Sequence, residues 1–195
     1  MSDTPAGAVS PRPVPPRPGP GGQAMRLGQI LRVDHAGELA AVHIYRGQRA
    51  VLEGAAGRAA IGARLERMEE QEARHLARFE VLLNATRTRP TLLAPVCRAT
   101  AFALGVGTAL LGERAAHACT DAVESVIVAH YAGQIAELEE QNPDLAAELS
   151  GFRDDELAHQ QEAIDEGARE APGGALLSAV IKTGCRVAIK ICERL

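Results

Sequence analysis

From Met25 to about Glu53 the positions Leu27, Ile30, Leu31, Asp34, Glu38, Ala41, Val42 and Tyr45 recur at steps of three and four, the spacing of one helix face. Gly54 and Gly57 then break the pattern. The same period returns from about Arg58 to Asn84. There Ile61, Leu65, Met68, Glu72, His75, Leu76, Phe79 and Leu82 share one stripe, and Thr88-Arg89-Pro90 ends it. An apolar segment from Leu92 to Leu111 follows, interrupted by Pro95, Gly105 and Gly107. A fourth helix is predicted over about Glu113 to Glu140, closed by Gln141-Asn142-Pro143, and a fifth from Asp144 to about Glu170. Beyond Pro172-Gly173-Gly174 a last helix is predicted from Ala175 to Leu195. No stretch sustains an alternation of period two, so the expected class is all-α.

Six polar residues interrupt the apolar stripes in a repeating order. Glu38 stands in the first long helix, Glu72 and His75 in the second, Glu124 in the next, and Glu156 and His159 in the last of the four. The pattern is therefore Glu, Glu-x-x-His, Glu, Glu-x-x-His. The steps from lone to paired glutamate are 34 and 32 residues, so the ligand pattern is duplicated in two helical hairpins of similar length. Residues three apart lie one turn apart on the same helix face. A carboxylate and an imidazole so placed can reach one metal ion together. The lone glutamates supply further oxygens, including a bridge between two ions. Any one of these residues alone is an ordinary solvated position; six in this order, one group per long helix, match the ferritin-like di-iron and di-manganese carboxylate bundles. Four carboxylates balance two divalent cations, which permits burial of the loaded site. Oxygen and imidazole donors without thiolate favour iron or manganese over copper(I) or structural zinc. Glu69, Glu70, Asp154 and Asp155 read as exposed, with Asp155 the best substitute ligand should Glu156 not serve. His35, His43, His117 and His130 belong to no Glu-x-x-His pair.

Composition narrows the setting. The chain has 195 residues, enough for one domain with a core, and only 3% are aromatic, so that core must be aliphatic. A formal net charge of -4 argues against a general nucleic-acid partner. The four cysteines, Cys97, Cys119, Cys185 and Cys192, form no CxxC pair and read as free thiols in a reducing compartment. Residues 1 to 24 are rich in Pro and Gly and read as a disordered tail without a secretory signal, so the domain is expected over 25 to 195.

RVDHAGELAAVHIYRGQ resembles the opening motif of the demethoxyubiquinone hydroxylases of ubiquinone biosynthesis, the Coq7/Cat5 family. The likeness continues through EQEARHLARFEVLL, ALGVGTALLGERAAHACTDAVES, AHYAGQIAEL, FRDDELAHQQEA and GCRVAIKICERL, essentially everything after residue 25. Carried over by motif, the metal ligands are Glu38, Glu72, His75, Glu124, Glu156 and His159, the six that spacing selects. The resemblance implies a mono-oxygenase with two iron ions, O2 as co-substrate and NADH as electron donor, hydroxylating a demethoxyubiquinone ring. His130 and Tyr131 match a His-Tyr pair assigned in the family to electron transfer near the site; a packing role accounts for the pair as well. Ser125 departs from the family, which commonly has a second acidic residue there.

An isoprenoid quinone substrate requires a membrane surface. Ala99 to Gly112 is 14 uncharged residues long, too short to span. The final helix sets Lys182, Arg186, Lys190 and Arg194 against Glu193 alone, interleaved with aliphatic residues, and suits an in-plane helix on anionic lipid. Packing on the bundle or on another subunit, as a homo-oligomer, is the competing use. The implied location is peripheral, on the cytoplasmic face of a bacterial inner membrane or the matrix face of a mitochondrial one. The family also implies a Coq9-type lipid-binding accessory protein as a partner. The competing function is a ferritin-like iron-binding or ferroxidase protein on the same fold.

Overall fold

The structure is a computed structural model and describes residues 21–54 and 59–195. Among the described residues it contains six α-helices: α1 (Gly22–Leu52), α2 (Ala59–Thr86), α3 (Ala94–Leu110), α4 (Glu113–Leu138), α5 (Pro143–Asp165) and α6 (Gly174–Cys192). No strand occurs among the described residues, and the all-α expectation holds. Four long helices form a ferritin-like bundle as two hairpins, α1 with α2 and α4 with α5; α3 crosses α1, and α6 lies mainly on α4.

Local chemistry sets most boundaries. The Asn142 side chain accepts from the Leu145 N–H at 3.3 Å, capping α5 with Pro143 in its first turn. The fifth helix was expected to run to Glu170 but stops at Asp165, because Gly167 takes φ +91° and turns the chain into a short 3-10 segment, Ala168–Glu170. The glycines of the third segment were expected to interrupt it, yet α3 is continuous. Gly105 faces Gly47 of α1, where a Cβ on either would strike backbone of the opposing helix. These glycines permit close crossing rather than breaking a helix. α1 starts three residues before Met25. Most of the expected Pro/Gly-rich tail, residues 1–20, and Gly57 lie outside the described residues.

Two apolar layers enclose the middle of the bundle. At one end Ile30, Leu31, Phe79, Tyr131 and Leu149 pack together; at the other Tyr45, Leu52, Ile61, Leu65 and Met68 do. Phe79, Leu31, Leu52 and Leu149 have no exposed surface, and burying such side chains stabilises by about 1.5–3 kcal/mol each. The level between the layers holds the acidic and imidazole side chains.

Candidate metal centre

All six residues selected by spacing are buried, none more than 4% exposed. They meet in one cluster. Glu38, Glu72, His75 and Glu156 offer ligand atoms within 4.8 Å of one another, and so do Glu124, Glu156 and His159. His75 Nδ1 lies 3.5 Å from Glu38 Oε2, 3.3 Å from Glu156 Oε1 and 3.9 Å from Glu72 Oε2. His159 Nδ1 lies 2.9 Å from Glu72 Oε1 and 3.2 Å from Glu156 Oε2. The paired glutamates thus sit centrally, each with one oxygen toward either imidazole, whereas the sequence reading gave the bridging position to the lone ones.

The donor set fits metal. Glu38 Oε2, Glu72 Oε1, His75 Nδ1 and Glu156 Oε1 are buried without an aligned hydrogen-bond partner, although they lie close together. Donor atoms that converge on a point rather than on each other suit a cation between them. Electrostatics agrees. Burial pushes Glu72 and Glu124 well above the ordinary carboxylate range, with the nearby Glu156 and Glu38 charges adding to it. For Glu156 burial acts upward, but its bonds to His159 and His75 win and hold it low. Burial alone would depress His75; Glu156 and Glu38 overcome it and raise the imidazole to about 10. The cluster demands positive charge, which protons or divalent cations can supply.

The surrounding groups repeat between the halves. Tyr45 OH donates to Glu124 Oε1 at 2.7 Å, and Tyr131 OH donates to Glu38 Oε1. Each tyrosine stands seven residues after the lone glutamate of its own half and binds that of the other. His75 Nε2 lies 3.0 Å from Asp155 Oδ2, and His159 Nε2 lies 3.2 Å from Gln71 Oε1. Both acceptors directly precede a paired glutamate. With Nε2 held outward by these acceptors, both rings turn Nδ1 inward toward the carboxylates, where it donates while protonated and would ligate a cation once deprotonated. Asp155 was expected to be exposed; its side chain is 45% exposed and orients His75. Glu69, also expected to be exposed, is mostly covered by Arg46 and Arg49. Tyr45 and Gln71 were missed by the sequence reading, although their fixed offsets from the glutamates are visible in it.

The remaining expected residues lie beside this level. His130 Nε2 is 2.9 Å from Gln134 Nε2, and Gln134 Nε2 also donates to Asp34 Oδ1 at 2.7 Å. His43 Nδ1 donates to the Leu39 carbonyl at 2.8 Å, and His117 lies near Glu113, away from the six. Next to Glu38 a cavity of about 400 Å³ opens between α1, α3, α4 and α6. Its wall is aliphatic residues and cysteines apart from Asp34, Glu38, Thr100, His130 and Tyr131. All four cysteines are free.

The profile of the family described as "Ubiquinone biosynthesis protein COQ7" matches residues 25–192. The chain belongs to this family. The chain is 47% identical over 173 residues to the "NADPH-dependent 3-demethoxyubiquinone 3-hydroxylase, mitochondrial" of Homo sapiens, covering 87% of this chain and 78% of that protein. It is 46% identical over 177 residues to the "3-demethoxyubiquinol 3-hydroxylase" of Rhodospirillum rubrum, covering 91% and 82%. To the "5-demethoxyubiquinone hydroxylase, mitochondrial" of Saccharomyces cerevisiae it is 40% identical over 188 residues, covering 89% and 80%. Membership in this family agrees with the resemblance read from the motifs, and the matched region contains every residue of the cluster.

Proposed function

We propose that this chain is a di-iron mono-oxygenase that hydroxylates the ring of a demethoxyubiquinone intermediate in ubiquinone biosynthesis. The observation that carries the reading is a buried six-donor cluster set directly against an apolar cavity. Glu38, Glu72, His75, Glu124, Glu156 and His159 would hold two iron ions, with Glu156 common to both groups of converging donors. The bound irons would supply reduction of O2 and delivery of one oxygen atom to the ring. The residues of the chain do the rest. Asp155 and Gln71 hold the imidazoles, Tyr45 and Tyr131 hold the lone carboxylates, and the aliphatic wall excludes water and takes the isoprenoid substrate. Electrons come from a reduced nicotinamide. The motif resemblance implies NADH, and the names of the human and rodent relatives specify NADPH. His130 and Tyr131 are the candidate electron-transfer pair, Tyr131 through its bond to Glu38.

Access to the substrate is proposed to be from a membrane surface. No described helix is long and apolar enough to cross a membrane. α3 and α6 flank the cavity, and Leu110, Leu111, Leu176 and Val180 are all more than 60% exposed on or beside them. With Lys182, Arg186 and Lys190 on α6, this face suits peripheral contact with anionic lipid, at the inner membrane or its mitochondrial counterpart. A Coq9-type accessory protein or a second copy of the chain would also fit there. Ferroxidase or storage work leaves the apolar cavity without a use. The test is the quinone profile of cells lacking the gene. Accumulation of a quinone short of one ring hydroxyl is expected; an unchanged profile with disturbed iron handling would favour the storage reading.

A further inference from the structure

The cavity is nearly all carbon, yet besides Glu38 of the donor cluster a second buried carboxyl, Asp34, stands in its wall. Asp34 is 4% exposed and lies one helical turn before Glu38 on α1, about 6 Å along the axis. Its Oδ1 accepts from Gln134 Nε2 at 2.7 Å, and its Oδ2 is buried without a partner. The second N–H of the Gln134 amide points to His130 Nε2 at 2.9 Å, which makes that nitrogen the acceptor. A polar atom left unpaired in a buried site is costly, so a fold retains one where something else completes it. The duplicated bundle does not need this group. The residue four before the lone glutamate is Asp34 in the first half but Thr120 in the second, and His130 corresponds to Ile44. The carboxyl and the imidazole therefore mark the cavity side alone.

Resting on the hydroxylase reading, we propose that Asp34 is the hydrogen-bond anchor for an oxygen substituent of the substrate's aromatic ring, with Gln134 and His130 fixing its carboxyl. The arrangement serves positioning and selectivity. An aliphatic wall accepts any ring or tail, whereas a single buried polar atom prefers a ring oxygen at one place and leaves the rest of the ring toward Glu38. Burial lifts the Asp34 carboxyl well above its usual range, opposed by the Gln134 bond and reinforced by Glu38. As a neutral acid, Oδ2–H donates to a ring carbonyl or hydroxyl oxygen. Asp34 acts through the substrate's position and is not a metal ligand.

The test measures dissociation constants by calorimetry on the iron-loaded full chain, with oxygen excluded. The probes are a short-tailed monomethoxy-1,4-benzoquinone and an alkylbenzene of the same size without ring oxygens. Asp34→Leu should weaken quinone binding about tenfold while leaving the alkylbenzene within about twofold, the loss expected for one buried hydrogen bond. Asp34→Asn, whose amide still donates, should stay within about threefold of wild type for both. It also guards against misfolding of the leucine variant, as does Gln134→Leu, expected to weaken the quinone alone. Equal weakening of both probes in Asp34→Leu and Gln134→Leu, or none, overturns the anchor while leaving the hydroxylase reading intact. Failure of wild type to bind the quinone overturns both.

Discussion

The two halves of the bundle contain the same ligand pattern and differ in what surrounds it. α1 and α2 supply Glu38, Glu72 and His75; α4 and α5 supply Glu124, Glu156 and His159. Each half also sends a tyrosine and an orienting acceptor into the other, so neither site is complete within one hairpin. The differences fall outside the donor set. His75 is held by a carboxylate, Asp155, and His159 by an amide, Gln71. α3 is almost uncharged, whereas α6 is basic. Only one flank carries Asp34 and His130 against a cavity. Duplication explains the level of buried donors, and departures from it mark where, on the proposed reading, substrate and surface would act.

The largest expected effect comes from breaking the shared centre. Glu156→Ala removes an oxygen facing each imidazole, so it should abolish retention of both irons and turnover together. Glu124→Ala touches only the His159 side and should leave one ion bound. Iron per chain by atomic emission decides it; equal loss in both variants would mean that the two ions bind only as a unit.

Next in size is the contrast between α3 and α6. Replacing Lys182, Arg186 and Lys190 with Glu should weaken binding to anionic vesicles strongly, since each basic residue near such a surface contributes about 1 kcal/mol, screened by salt. Turnover of long-tailed substrate should fall with it, and turnover of a short-tailed soluble analogue should barely change. Equal slowing of both substrates would assign α6 to bundle or subunit packing instead.

The orienting acceptors give a smaller, graded effect. Asp155→Ala and Gln71→Ala should each weaken iron binding about 10–100-fold, the usual effect of losing a partner behind a ligand imidazole. The Asp155 loss should be the larger, because a carboxylate raises imidazole basicity more than an amide does. Competition against a chelator measures both. The reverse order would show that the two iron positions depend on their imidazoles differently from what the two acceptors imply.

The helices and the six donors were legible because each leaves a local signal: apolar spacing of three and four, and a polar residue standing where that spacing demands an apolar one. Boundaries were less legible where a single glycine decides them, as at Gly167, or where glycine means contact rather than interruption, as at Gly105. Which glutamate stands centrally was not legible. That depends on how α2 and α5 face one another across the bundle, and no spacing within one helix encodes it. Tyr45, Gln71 and Gln134 were passed over for a related reason. Each acts on a residue at least 79 positions away, and only the folded arrangement pairs them.

The smallest expected effect tests how the halves are joined at their surface. Arg26 on α1 reaches Glu137 on α4 through two hydrogen bonds, 2.8 and 2.9 Å, and its Nη1 lies 3.4 Å from Glu193 beyond α6. The Arg26 hydrogen bond holds the Glu137 carboxyl below its ordinary range against an upward push from burial. Both side chains are about one-third exposed, so solvent screens the pair and Glu137→Gln should cost less than about 1 kcal/mol at pH 7. A depressed carboxylate contributes its full stability above the unfolded value, about 4.3 for glutamate, and loses it as pH falls through the folded value. The difference between Glu137→Gln and wild type in urea melts should therefore be flat above about pH 5 and fade below it. The halves also meet through the buried layer of Ile30, Leu31, Phe79, Tyr131 and Leu149, and a loss well beyond 1 kcal/mol would show that this apolar layer contributes less to their union than its burial implies.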